Sequence, residues 1–239
     1  MRRFVTLGVL TAAVVFVASM TALNAGSAVP IPELPPPGDF ARNVDNPYFP
    51  LVPGTTFRYE GTEEGAPRQV TVFVTHQRKT ILGIRAIVVR DEVLVDGQPE
   101  ERTFDWYAQD KNGTVWYLGE DSFDFVNGTW VRSEGSWEAG VDGAKAGIIM
   151  EAGPVVGDKY RQEYYAGHAE DMAKVLDTNA SVSVPYGTFD HVLVTKEWTP
   201  LEHAVVENKY YARGVGNVRT VMVKGGQEEE NLVSVTTGG

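Results

Sequence analysis

Asp96-Gly97, Asn112-Gly113 and Asn127-Gly128 punctuate the middle of this chain at intervals of 16 and then 15 residues. Each pair tolerates the positive φ angles that a primed two-residue turn demands, so each marks a tight hairpin between antiparallel strands. The residues between them agree, because apolar and polar side chains alternate with a period of two. Val70, Val72 and Val74 share one face of the first such segment, and Thr71, Phe73 and Thr75 share the other. Ile87, Val89, Asp91, Val93 and Val95 continue the pattern in the next. In the strand before the second turn, Phe104, Trp106 and Ala108 lie on one face, opposite Thr103, Asp105, Tyr107 and Gln109. A meander of long strands with one polar face is the expected result.

The rest of the chain extends this reading. Residues 55–60 form the first strand, introduced by Asn46-Pro47-Tyr48-Phe49-Pro50, whose prolines fix aromatic residues as a plug at one end. Pro185-Tyr186-Gly187 turns between two short strands, residues 169–176 fit a helix by the spacing of Met172, Val175 and Leu176 or, as the preferred reading, a strand by their alternation, and Gly225-Gly226 is the last hairpin turn. Residues 134–158 are glycine-dense and aperiodic, and are expected to form a long structured loop. The fold class is therefore all-β: one strongly curved antiparallel sheet, a half-barrel or lipocalin-like barrel, whose concave side that glycine-rich loop covers.

Arg2 and Arg3, an apolar run to Ala18 and small residues through Ala28 read as an export signal, residues 1–28, removed on secretion. A proline-rich leader, residues 29–45, then precedes a single β domain, residues 46–239. The chain has no cysteine, so neither disulfides nor a lipidated cysteine can hold it, and its stability must come from its core. Without the signal it carries 19 basic against 32 acidic residues, a net charge of −13. That charge opposes nucleic acid and anionic membranes and leaves cations or neutral molecules as partners. Location outside the cytoplasm, whether secreted, periplasmic or in the cell envelope, follows from the signal.

Asn46-Pro47-Tyr48-Phe49-Pro50 with Pro53-Gly54, Val184-Pro185-Tyr186-Gly187-Thr188-Phe189 and residues 210–218 resemble elements of exported bacterial proteins of uncharacterised function. The resemblance covers most of the chain after the signal. It implies a strongly curved antiparallel sheet, like lipoprotein-carrier half-barrels or lipocalin-like barrels, and brings no catalytic motif.

One stretch departs from the alternation. In residues 160–165, Tyr160, Gln162 and Tyr164 would share one strand face and Arg161, Glu163 and Tyr165 the other, so neither offers aliphatic bulk to a core. Such a segment suits the lining of a wet cavity. Residues 101–142 add nine acidic side chains and four of the five tryptophans. The expected ligand-binding residues are Tyr107, Trp137, Arg161, Glu163, Tyr164 and His168, beside Asp105 and Glu138. They point to a protein that holds a small polar or amphipathic molecule, an oligosaccharide or a divalent cation.

A secreted carbohydrate-active enzyme is the alternative, with Glu163 and Asp105 or Glu138 as paired carboxylates. A structural envelope protein without a ligand is the third reading. No serine elbow, phosphate loop or dinucleotide fingerprint is present, so no cofactor is expected. Nor do the four histidines show a metal-ligand spacing, and Asp110-Lys111-Asn112-Gly113 sets its glycine too early for a calcium loop.

Overall fold

The computed structural model describes residues 29–238; the export signal read from residues 1–28 lies outside the described residues. A ribbon of β1 (Val44–Asn46) and β2 (Phe49–Leu51) leads into a meander. Its strands are β3 (Thr55–Glu63), β4 (Ala66–Ile81), β5 (Ile84–Val95), β6 (Gln98–Gln109) and β7 (Val115–Val126). Three short strands, β8 (Thr129–Arg132), β9 (Trp137–Glu138) and β10 (Lys145–Met150), pair in turn along the free edge of β7. After β11 (Lys159–Arg161) and β12 (Glu163–Tyr164) come β13 (Met172–Val184), β14 (Gly187–Trp198) and β15 (Val206–Ala212). The last two strands are β16 (Gly216–Lys224) and β17 (Glu228–Thr237), and β17 pairs with β3.

The main sheet runs β11-β13-β14-β15-β16-β17-β3-β4-β5-β6-β7-β10-β12 and is antiparallel at every step. Its first and last strands are separated by one residue, Gln162. One short segment thus docks on both edges, its first half on β13 and its second on β10, and the sheet becomes a nearly closed barrel. Gly147 of β10 makes the closure possible. A Cβ there would lie 2.3 Å from the carbonyl carbon and oxygen of Gln162, so no larger residue fits at the crossing.

The turns explain the meander. Asp96-Gly97 and Asn127-Gly128 both hold positive φ at both positions (52° and 71°, 51° and 82°), as a primed turn requires. Glu64-Gly65 and Leu82-Gly83 do the same, although their first residues gave no such signal. At Asn112-Gly113 the connection is longer, and Asp110 organises it by accepting hydrogen bonds from the Asn112 and Thr114 amides at 2.8 and 3.1 Å.

Which face is core is decided by a bend. Between Val74 and Arg78 the register of β4 shifts, and the outer half of the β4–β5 hairpin leaves β6. It reaches across the outside of the barrel, setting Lys79 3.2 Å from the Trp106 ring centre and 2.7 Å from Glu138. Beneath it Ile81, Ile84, Ala86, Trp106, Ala108, Trp116 and Leu118 are all buried. On β6 and β7 the apolar face therefore looks outward into this covered layer and the polar face into the lumen, whereas on β4 and β5 Val70, Val72, Val89 and Val93 face the lumen. Residues 134–158 do not cover the concave side: they supply β9 and β10 to the wall, because β7 needs partners along its whole second edge.

The aromatic–proline segment does plug one end. The Asn46 side chain donates to the carbonyls of Gly113 and Glu151 at 2.9 and 3.0 Å, and the Gly214 amide donates to Pro47 at 2.7 Å, tying β1 and β2 to three turns of that rim. In residues 169–176 the strand reading holds from Met172 onward.

Candidate binding cavity

Inward-facing positions of the strands enclose two adjoining chambers of about 320 and 270 Å3. They share Asp91, Glu101, Asp105, Tyr107, Ile149 and Lys209, so they form one lumen. The larger chamber is apolar beneath the plug, where Phe49, Leu51, Phe57, Val72 and Val89 line it. The smaller is polar, with Thr103, Glu120, Gln162, Glu163, Asp171 and Glu197. A row of rings runs along the wall between them: Phe49 against Tyr107 (centroids 5.2 Å apart), Tyr107 stacked on Tyr117 (4.8 Å), and Tyr117 edge-on to Trp137 (5.4 Å).

Ten carboxylates line this lumen against two cations, Arg68 and Lys209. Four of the ten are matched. Arg68 lies 2.6 Å from Glu230 and 3.3 Å from Glu228, and Lys209 lies 3.0 Å from Glu197 and 3.8 Å from Glu207. Burial pushes the Glu197 carboxyl up, but the Lys209 ammonium and a hydrogen bond from Thr195 outweigh it, and Glu197 is held below its ordinary value. Burial likewise disfavours the Lys209 charge, and Glu197 and Glu207 more than restore it.

Among the described residues, the other six, Asp91, Glu101, Asp105, Glu120, Glu163 and Asp171, have no lysine or arginine within ion-pair distance; Arg68 acts on Asp91, and Lys209 on Asp105 and Asp171, from further away. Burial pushes the Asp105 carboxyl up to about 6, against a hydrogen bond from Tyr117 that lowers it. For Glu120, burial and then the Asp105 charge push it up to about 8. Asp91 is raised well above its ordinary value by burial and then by Asp105, and Glu163 by burial and then by Asp171. The Tyr117 hydroxyl sits between two of them, 2.5 Å from Asp105 Oδ1 and 2.7 Å from Glu120 Oε2. A phenol has one proton to donate, so the second short contact needs a proton on a carboxyl. Asp105 ionised, Glu120 protonated and Tyr117 relaying between them satisfy all three groups.

The residues expected to form one site fall into three places. Asp105, Tyr107 and Glu163 reach the lumen. Trp137 stands in the wall: its indole donates to Glu163 Oε2 at 2.7 Å, and its outer side lines a separate groove of about 490 Å3 with Glu138, Tyr165 and His168. Glu138 is ion-paired with Lys79 there, and the His168 ring stacks on Tyr165 with centroids 4.3 Å apart. Arg161 and Tyr164 line neither space. The Arg161 guanidinium stacks 4.9 Å from the Tyr164 ring centre and its Nε donates to the carbonyl of Val29 at 3.0 Å, so it straps the leader to the barrel.

The physical reason is the seam. The amides of both Gln162 and Glu163 approach the Asp171 carbonyl, at 2.8 and 3.5 Å, which breaks the alternation between β11 and β12. Two successive side chains, Gln162 and Glu163, turn inward, and Arg161 and Tyr164 on either side do not. An Arg161–Glu163 pair is thereby ruled out, and Arg161 lies 3.7 Å from Glu170 instead.

Sequence reasoning missed most of the acid lining. Asp91 gave a signal, as the one charge on the face Ile87, Val89, Val93 and Val95, and Lys209 gave another between Glu207 and Tyr211. Asp171 stood out only as one of two carboxylates close to His168, and Glu197 gave no signal.

No protein-family model matches this chain, and no curated protein matches it. Among solved structures it is similar to a presumed exported protein with a YmcC-like fold from Bacteroides fragilis. That match has 16% identity and a TM-score of 0.46, over 80% of this chain and 99% of that one. It is also similar to a presumed lipoprotein from Parabacteroides distasonis, at 14% identity and a TM-score of 0.41, over 79% of this chain and 98% of that one. These are likenesses of overall form, and they bring no site residue with them.

Proposed function

We propose that this protein is an exported carrier or receptor that holds a small amphipathic molecule inside its barrel. The observation that supports it is the lumen itself: two connected chambers, the larger with an apolar wall beneath the plug and the smaller polar throughout, joined by a row of aromatic rings. Their size suits a ligand of drug-like mass, and a lumen whose two ends differ in polarity orients an amphipathic guest. The neutral fluorophore Nile red tests this. Its emission is expected to rise and shift blue with the native protein, and Val89→Trp, which fills the apolar chamber, is expected to weaken binding at least tenfold. An unchanged affinity in a folded Val89→Trp protein would place the dye elsewhere and end the proposal.

A second reading, an acid–base hydrolase, draws support from Asp105 and Glu120, whose environments push their proton affinities apart across one phenol. Glu138, held outside the lumen by Lys79, has no part in it. Turnover of aryl glycosides that disappears in Asp105→Asn would support this reading; the same slow turnover in both proteins would remove it.

A further inference from the structure

Resting on the reading of the lumen as a binding cavity, we infer that its ligand is a small organic cation: an amine whose ammonium group sits among Asp91, Glu101 and Asp105 while its apolar body extends beneath the plug.

Three observations carry this. The first is where charge is missing. Arg68 and Lys209 are each consumed by two or more carboxylates at one side of the lumen, while Asp91, Glu101 and Asp105 line both chambers with no cation at ion-pair distance. Burying like charges without a counter-charge is costly, and a monovalent guest cation would remove much of that cost. The second is unspent hydrogen-bonding capacity at the junction. Asp91 Oδ1 is buried and accepts no hydrogen bond, although the residue lines both chambers. Gln162, only 4% exposed, lines the polar chamber with its side-chain nitrogen lacking a hydrogen bond of normal geometry, even though the Glu197 carboxylate lies close by. Native proteins leave few such groups buried, and a ligand ammonium with a neighbouring hydroxyl or carbonyl oxygen would answer both.

The third observation is the apolar surroundings. Val89 and Val93 flank Asp91 on its own strand, and Phe57, Val70, Val72 and Tyr107 line the same chamber. Aromatic walls stabilise an ammonium as well as an apolar chain. They do nothing for a hydrated divalent ion, and among the described residues no three carboxylate or imidazole groups converge as metal ligands. A sugar would find rings to stack on, but its hydroxyl groups do not compensate unpaired carboxylates.

The test uses protein purified after export, Nile red as the displaceable probe, and three competitors of one shape: 2-phenylethylamine, 2-phenylethanol and phenylacetate. Calcium chloride serves as the metal arm. The amine is expected to displace the dye at least tenfold more effectively than the alcohol, with phenylacetate and calcium inactive. Calorimetry in two buffers of different ionisation enthalpy is expected to show proton release on binding the amine at pH 7, because a cation favours ionisation of Asp105 and Glu120. Asp91→Asn is expected to fold, since it removes an unmatched buried charge, and to erase the preference for the amine while leaving the alcohol unaffected. Glu101→Gln provides the same comparison should Asp91→Asn not fold.

If the alcohol displaces the dye as well as the amine does, or if phenylacetate or calcium does so better, the cation assignment fails and the cavity reading stands. If Nile red does not enter the native protein at all, both fail together.

Discussion

Lys209 and Tyr117 each hold a pair of carboxylates in the same lumen, yet the two pairs are opposite in character. Around Lys209, Glu197 and Glu207 have an ammonium at 3.0 and 3.8 Å, and Glu197 is held ionised. Around Tyr117, Asp105 and Glu120 have only a shared hydroxyl, and burial raises both. The residue types are the same and the barrel is the same. What differs is the ammonium 3.0 Å from Glu197; Glu207, 3.8 Å from the same ammonium, is still raised by burial, so the charge of a buried acid here depends on how closely a cation stands beside it. One group is organised by an ammonium; the other shares its protons through a phenol.

The largest test removes the ammonium. Lys209→Met leaves Glu197 and Glu207 buried without a partner, and is expected to cost about 3–5 kcal/mol in urea unfolding at pH 7. A loss below about 1 kcal/mol would show that the lumen as a whole screens these charges, and the contrast would disappear.

A second effect is expected from Glu120→Gln, and it depends on pH. Asp105 and Glu120 bind their protons more tightly in the folded state, because burial takes their values to about 6 and 8 from ordinary values of 3.8 and 4.5. Their contribution to stability is therefore fully present below about pH 4 and is lost as pH rises through about 6 and then about 8. Glu197, held low by Lys209, behaves in the opposite sense and loses its contribution as pH falls. Glu120→Gln keeps the contact with Tyr117 and removes the ionisation, so it should match the native protein near pH 5 and exceed its stability by about 4 kcal/mol at pH 9. Equal stability at both pH values would mean that Glu120 titrates normally.

Tyr117→Phe is the mildest. It deletes the bridging hydroxyl and is expected to cost about 1–2 kcal/mol, while moving Asp105, which loses the donor to its ionised form, to still higher proton affinity, which carbon NMR titration would follow. A downward move of Asp105 would contradict the relay through the phenol.

The alternation of Val70 to Thr75 and the glycine turns at 97 and 128 were enough to give the meander, because strand period and turn chemistry are local properties. The polar face carrying Asp105 and Tyr107 was legible for the same reason. What alternation cannot show is which side of a curved sheet lies outward. That depended on the bend between Val74 and Arg78, which folds a hairpin over Trp106 and turns the apolar face into an external core. Nor could spacing along the chain bring Glu197 and Lys209 to Asp91, since each stands on a different strand and meets the others only across the lumen. Residues 160–165 were legible as an anomaly, and their place at the seam explains it: a strand that must satisfy two different neighbours cannot keep one face in and one face out.

That seam also governs how the molecule comes to exist. A curved sheet of this length presents unpaired strand edges until its ends meet. Here both ends of the main sheet are finished by the same few residues, 159–164, whose partners lie on β10 and β13. Docking this segment converts an open, associating sheet into a closed one in a single event. The residues that seal the backbone are also those that place Gln162 and Glu163 inside, so closing the sheet and forming its polar chamber are one and the same step.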